Sequence, residues 1–116
     1  MKKILVIDDE KPTLSMFGLF LGAMDFDVAT AENGATGIEL FKKERPDIVL
    51  TDIKMPGMDG LEVLKKLKEI DPSVPVVVVT GHGDTALEQE ALSLNAAGFI
   101  HKPIEREEIE SVLSRV

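Results

Sequence analysis

The chain has no cysteine, so neither a disulfide framework nor a thiolate metal site is open to it. It also lacks a long apolar run near its start. After Met1-Lys2-Lys3, only Ile4 to Ile7 precede Asp8, far short of a signal-peptide core or a membrane span. Basic residues are scarce, 13 against 21 acidic ones, for a formal net charge of −8. That balance excludes a grip on nucleic acid through phosphate neutralisation and leaves any DNA work to another domain; solubility alone also favours such acidity. No linker, repeat or low-complexity stretch interrupts the 116 residues. One domain over residues 1–116, with a core that needs no staples, is predicted. The expected setting is the cytoplasm, without membrane contact.

What is present is an alternation of β-rich runs with longer amphipathic segments, the mark of βαβ units around a parallel sheet. Strands are predicted at about Lys3–Ile7, Asp27–Thr30, Ile48–Thr51, Val76–Val79 and Gly98–His101. A first helix starts at Lys11-Pro12, where proline's missing N–H is no loss, and runs to about Met24. Asn33 caps a second that ends near Glu44 before Pro46. Gly60 to Ile70 forms a third, stopped by Asp71-Pro72. Asp84 caps a fourth that runs to about Leu94, where Asn95 and then Gly98 offer left-handed exits. Ile104 to about Arg115 forms the fifth. Parallel strands need helices on both faces, and Val76-Val77-Val78-Val79 suits a strand buried on both sides. The expected fold is a three-layer α/β sandwich of five parallel strands and five helices. The order 2-1-3-4-5 is taken over as the common one for this count.

Each of four apolar runs ends in a residue fit for phosphoryl chemistry. Ile4 to Ile7 precedes Asp8-Asp9, Ile48 to Leu50 precedes Thr51-Asp52, Val76 to Val79 precedes Thr80, and Phe99-Ile100-His101 precedes Lys102. In open α/β sheets, ligands bind at that edge. Crowded carboxylates raise one another's pKa unless a cation lies between them. Magnesium prefers one or two carboxylates, several waters and a phosphate oxygen, which Asp8, Asp9 and Asp52 match better than they match a calcium cage. Asp52 is then the nucleophile, with Thr80 and Lys102 available to phosphoryl oxygens, since this transfer needs positioning and charge neutralisation. Pro103 biases Lys102 toward extended backbone, aiming its stem from a strand end. Taken singly, a strand-end Asp is also a helix cap, and a strand-end Thr is also an ordinary β-former.

Lys3 to Glu10, then Pro46 to Gly60 (Pro-Asp-Ile-Val-Leu-Thr-Asp-Ile-Lys-Met-Pro-Gly-Met-Asp-Gly), then Lys102-Pro103 together resemble the receiver domain of two-component response regulators, chemotaxis receivers among them, over the whole chain. The resemblance implies a flavodoxin-like fold. It implies a phosphoryl group passed to Asp52 from a histidine kinase or histidine phosphotransfer protein, and a Mg2+ ion. Asp9 and Asp52 would bind that ion directly with the Lys54 backbone carbonyl, Asp8 mainly through water, while Thr80 and Lys102 contact the acyl phosphate. The domain would then be no enzyme beyond its own phosphorylation and slow dephosphorylation. Met55 to Gly60 reads as plain turn chemistry or as shaping the loop after the phosphoacceptor strand, with Asp59 structural.

An added phosphate would attract the Thr80 hydroxyl, and in that family an aromatic residue on the fifth strand then turns inward. Phe99 matches that position and fits ordinary core packing equally; it lacks the hydroxyl of the family's common tyrosine. Gly81 and Gly83 flank His82, so that loop changes backbone state cheaply. His82 and Lys54 are expected to tune the lifetime of the acyl phosphate by gating water, and His101 reads as strand filler. Gly81 to Asp84 also looks like nitrogen-regulation-type receivers, which precede output domains. On the first helix, Met16, Leu19 and Phe20 fall away from the Leu14-Phe17-Leu21 stripe. They fit a docking patch for the kinase's helical bundle, or Phe20 fills a gap. The rival enzyme class, a haloacid-dehalogenase-type phosphatase, places its nucleophile in a D-x-D pattern, whereas Asp8-Asp9 are adjacent. A pure interaction module with no phosphorylation is the other rival.

Overall fold

The computed structural model describes residues 2–81 and 83–116. Its elements follow in the order β1 (Lys3–Ile7), α1 (Lys11–Ala23), β2 (Asp27–Ala31), α2 (Gly34–Glu44), β3 (Ile48–Asp52), α3 (Gly60–Ile70), β4 (Val76–Thr80), α4 (Thr85–Ser93), β5 (Gly98–His101) and α5 (Arg106–Leu113). The strands form one sheet in the order β2-β1-β3-β4-β5, and every pairing is parallel. The expected architecture and strand order are those observed.

Successive side chains of a strand point to opposite faces, and this divides the core in two. Leu5, Ile7, Val49, Val76 and Val78 pack under α2, α3 and α4 with Ile38, Phe41, Val63, Leu67 and Ala91. Ile4, Val6, Leu50, Val77, Val79 and Ile100 pack under α1 and α5 with Leu14, Phe17, Leu21, Ile109 and Val112. All five residues of β3 and of β4 are buried, as strands covered on both faces must be.

Local chemistry sets the helix ends. Asn33 Oδ1 accepts from Thr36 N at 2.8 Å and Asp59 Oδ1 from Glu62 N at 2.9 Å, each satisfying a free N–H of the first turn. Asp59 is therefore a cap. Asp25 (φ 67°) and Asn95 (φ 69°) close α1 and α4 in left-handed backbone. There the N–H of Phe26 reaches Leu21 and that of Ala96 reaches Ala91, the hydrogen-bond pattern of a Schellman exit.

Three expectations are corrected. Gly98 is no helix exit; it opens β5 opposite Val77, where a β-carbon would crowd Val112. The fifth helix begins at Arg106, not Ile104, because Ile104 is drawn into the α1/α5 core beside Ile109, the two positions of a hydrophobic staple. Asp84 stands at the N-cap of α4 but makes no capping bond; its carboxylate is used elsewhere.

Candidate functional site

The same alternation aims the side chains at the carboxyl edge of the sheet. Ile4 and Val6 face α1 and α5, and so does Asp8 in the same phase; Leu50 leads likewise to Asp52, and Ile100 to Lys102. Ile7 pairs with Thr51, so Asp8 and Asp52 end neighbouring strands. Lys102 N donates to Thr80 O at 2.7 Å, which anchors the lysine beyond the end of β4.

Lys102 Nζ stands 3.3 Å from Asp52 Oδ2, 3.3 Å from Asp8 Oδ2 and 2.9 Å from Glu10 Oε1. Asp8 and Asp52 are 1% and 6% exposed, so bulk water does little to screen them. Asp8 Oδ1 accepts from Glu10 N at 2.9 Å. Its Oδ2 is buried with no hydrogen bond, the lysine nearby lacking the geometry for one. Burial pushes the Asp52 carboxyl up to about 6, with the charge of Asp8 adding and that of Lys102 opposing. Burial likewise raises Asp8 against the pull of the Glu10 N–H and Lys102. Repulsion between acids, the cause expected from the sequence, is thus second to desolvation. Burial works against the Lys102 ammonium, yet Glu10, Asp52 and Asp8 together hold its pKa above the usual lysine range.

Glu10, Asp52 and Lys102 line an open cleft of about 320 Å³ with Asp9, Lys54 and Asp84. Among the described residues, carboxylate oxygens of Asp8, Glu10 and Asp52 lie within 4.8 Å of one another. A buried carboxylate oxygen without a hydrogen bond, in a set of hard oxygen donors, fits a divalent cation such as magnesium. Glu10 was not singled out from the sequence, though it sits two residues past Asp8. Asp9, expected as a direct ligand, lies outside that compact cluster, exposed at the rim of the cleft. Lys54 Nζ pairs with Asp84 Oδ1 at 2.8 Å, and Asp84 Oδ2 accepts from Gly81 N at 2.9 Å. The Lys54 ammonium and that N–H hold the Asp84 carboxyl below its usual range.

Thr80 belongs to the other face, in phase with Val76 and Val78. It is fully buried, and its hydroxyl donates to Glu88 Oε2 on α4 at 3.1 Å. Phe99, half-buried, packs with the core under α2 to α4, beside Val78 in register. His101, read as filler, pairs with Glu108 and Glu88; neither acid was singled out from the sequence. His82 lies outside the described residues. On α1, Met16 and Leu19 are 43% and 73% exposed, whereas Phe20 leans on the α1/α5 core.

Residues 4–114 match the response regulator receiver domain. The sporulation initiation phosphotransferase F of Bacillus subtilis is 34% identical over 98% of this chain and 92% of its own length. The DNA-binding transcriptional regulator NtrC of Escherichia coli is 33% identical over 97% of this chain, but only 24% of its own length is matched. The chain thus spans about a quarter of several curated relatives. Among solved structures, a response regulator receiver domain protein from Clostridium thermocellum superposes with a TM-score of 0.94 at 32% identity, covering 98% of this chain and 92% of that one. Chemotaxis protein CheY4 of Vibrio cholerae also gives 0.94, at 28% identity over 100% and 98% of the two chains.

Proposed function

The chain belongs to the response regulator receiver domain family, the phosphoacceptor domain of two-component signalling, and on that premise we propose that Asp52 takes the phosphoryl group from a histidine kinase or histidine phosphotransfer protein in a magnesium-dependent step. The observation that carries this is the Lys102 ammonium 3.3 Å from Asp52 Oδ2 beside the unbonded Asp8 Oδ2. An ionised Asp52 oxygen attacks phosphorus as the bond to the donor imidazole nitrogen breaks, and the bonding pair leaves with that nitrogen. Asp8, Asp9, Asp52 and the Lys54 carbonyl would hold the ion, with Glu10 at its edge. Bound there, magnesium supplies positive charge against the phosphoryl oxygens and lets Asp8 and Asp52 stay ionised together. Lys102 neutralises a further oxygen, and burial keeps competing water few.

Thr80 then bonds to the phosphoryl group and Phe99 follows it inward, altering the face presented to an output domain or effector protein. Met16 and Leu19 form the exposed apolar part of the kinase-docking patch, with Phe20 packed at its base. The domain is non-enzymatic apart from its own phosphorylation and slow dephosphorylation. It works in the cytoplasm; no described helix is long and apolar enough to cross a membrane.

Incubation with a small phosphodonor and Mg2+ tests the reading. One acid-stable, base-labile label per chain, lost in Asp52→Asn and in excess chelator, is expected. Steady turnover of the donor without labelling would overturn it in favour of a phosphatase.

A further inference from the structure

The inward stripe of α4 carries Leu87, Ala91 and Leu94, which pack on the core, and Glu88 lies on that stripe one residue from Leu87. An acid placed there costs stability unless its charge is matched. Two contacts match it. Glu88 Oε2 accepts from the buried Thr80 hydroxyl at 3.1 Å and lies 3.4 Å from His101 Nε2. His101 is in turn fastened at its other end: Nδ1 is 2.7 Å from Glu108 Oε2, and its backbone N–H donates to Glu108 Oε1 at 2.8 Å. Glu108 holds the third position of α5, where a glutamate commonly bonds back to its own helix cap. Here it reaches β5 instead. A continuous chain of four side chains therefore runs from Thr80 on β4, through α4 and β5, to α5.

We propose that Glu88, anchored by His101 and through it by Glu108, is a positioning residue that keeps the Thr80 hydroxyl on the α4 side of the sheet, so that a phosphoryl group on Asp52 must win Thr80 from it. The proposal rests on the phosphoacceptor reading above. A hydroxyl bonded to a carboxylate is held more tightly than one bonded to a neutral acceptor, and Thr80 has one proton to donate. The two destinations are therefore exclusive. Whatever strengthens the Glu88 contact lowers the share of chains in which Thr80 is free to turn.

The anchor also has a sign with pH. Glu108 first, and Glu88 more weakly, raise the pKa of His101 above its usual value. The charged groups around the ring are Glu88 on α4, Glu107 and Glu108 on α5, Glu105 at the α5 cap and Lys102 next in the chain; Thr80 is opposite it on β4. With both ring nitrogens protonated, His101 holds both glutamates. Once it loses a proton, Nδ1–H remains with Glu108 and the bare Nε2 lone pair faces the Glu88 oxygen. The latch then loosens. Low pH thus favours Thr80 held back, and higher pH favours its release.

Two measurements test this on the intact chain. In the first, the His101 Cε1–H resonance is followed against pH without any phosphoryl mimic. Its pKa should fall in Glu88→Gln and further in Glu108→Gln; an unchanged pKa in Glu88→Gln would overturn the anchor. In the second, beryllofluoride is titrated with Mg2+ while the Thr80 and Gly81 amides are observed. Glu88→Ala should bind roughly tenfold tighter than wild type, a difference of about 1.4 kcal/mol, and Glu88→Gln, which keeps an acceptor for Thr80, should fall between. The gap between wild type and Glu88→Ala should narrow from about pH 6 to about pH 9 as His101 deprotonates. Equal or weaker binding by Glu88→Ala, with wild type responding normally, would overturn the latch and leave the phosphoacceptor reading intact. No Mg2+-dependent response in wild type would overturn that reading, and the latch with it.

Discussion

The ammonium of Lys54 lies 2.8 Å from the carboxylate of Asp84 and so ties the loop after β3 to the start of α4 across the mouth of the acidic cleft. Asp84 is buried while the Lys54 side chain is 67% exposed. The tie lines the same cleft as Asp52 and is built from two segments that no local signal joins.

Lys54→Ala should therefore shorten the life of the acyl phosphate, since water gains a path to phosphorus along the vacated stem. We expect the label on Asp52 to be lost several-fold faster, with the fold retained because Asp84 keeps its hydrogen bond from Gly81 N. Following release of labelled phosphate over time checks it.

Asp52 makes stability depend on pH. Its folded pKa is raised to about 6, so the fold favours the protonated acid. That stability is fully present below the unfolded value of about 4 and is lost as pH rises through the folded value. Without metal, Asp52→Asn should melt higher than wild type at neutral pH, by on the order of 2 kcal/mol of stability. The gap should vanish below about pH 4. Saturating Mg2+ should raise wild type selectively, and chelation should reverse the gain. Thermal melts across pH, with and without the ion, measure each part.

Gly60 is where the backbone of α3 comes closest to the end of β3. A β-carbon there would collide with the carbonyl of Asp52 and the Cα of Ile53, both backbone atoms. At Gly37 the colliding atoms are the outer carbons of the Ile7 side chain, which can turn. Gly60→Ala should cost roughly 2 kcal/mol or more, and Gly37→Ala should cost less. Gly60→Ala should also slow labelling of Asp52, because α3 can move off only by shifting that strand end. Denaturant melts and labelling rates on the two variants separate the effects.

Leu19 is the most exposed large apolar side chain among those described on α1 and supports no core contact there. Leu19→Arg should leave the melting temperature within about 2 °C of wild type and leave labelling by a small phosphodonor unchanged. Transfer from a phosphorylated histidine protein should slow at least tenfold. Parallel labelling with the two donors checks it.

The amino-acid order by itself determined the five strands, the five helices and some of their caps, though neither the start of α5 nor the use of Asp84. Asn33 and Asp59 close their helices with hydrogen bonds reaching three residues, and Val76 to Val79 is too apolar for any strand but a doubly covered one. Such signals act within a turn or a pleat, so neighbouring residues suffice to read them. The strand ends also announced Asp8, Asp52 and Lys102. Their convergence depends on the strand order β2-β1-β3-β4-β5, which no short stretch of sequence states.

Tertiary structure alone decided the partners. Glu10 came to lie with Asp8 and Asp52, and Asp9 at the rim of the same cleft. Asp84 exchanged its cap for Lys54, and Thr80 turned to Glu88 on the face opposite Asp52. His101, a filler by its neighbours, became the hinge between two glutamates. Each outcome depends on how far a helix is rotated over the sheet and which strand lies alongside, quantities set by packing the whole core rather than by any short stretch of chain.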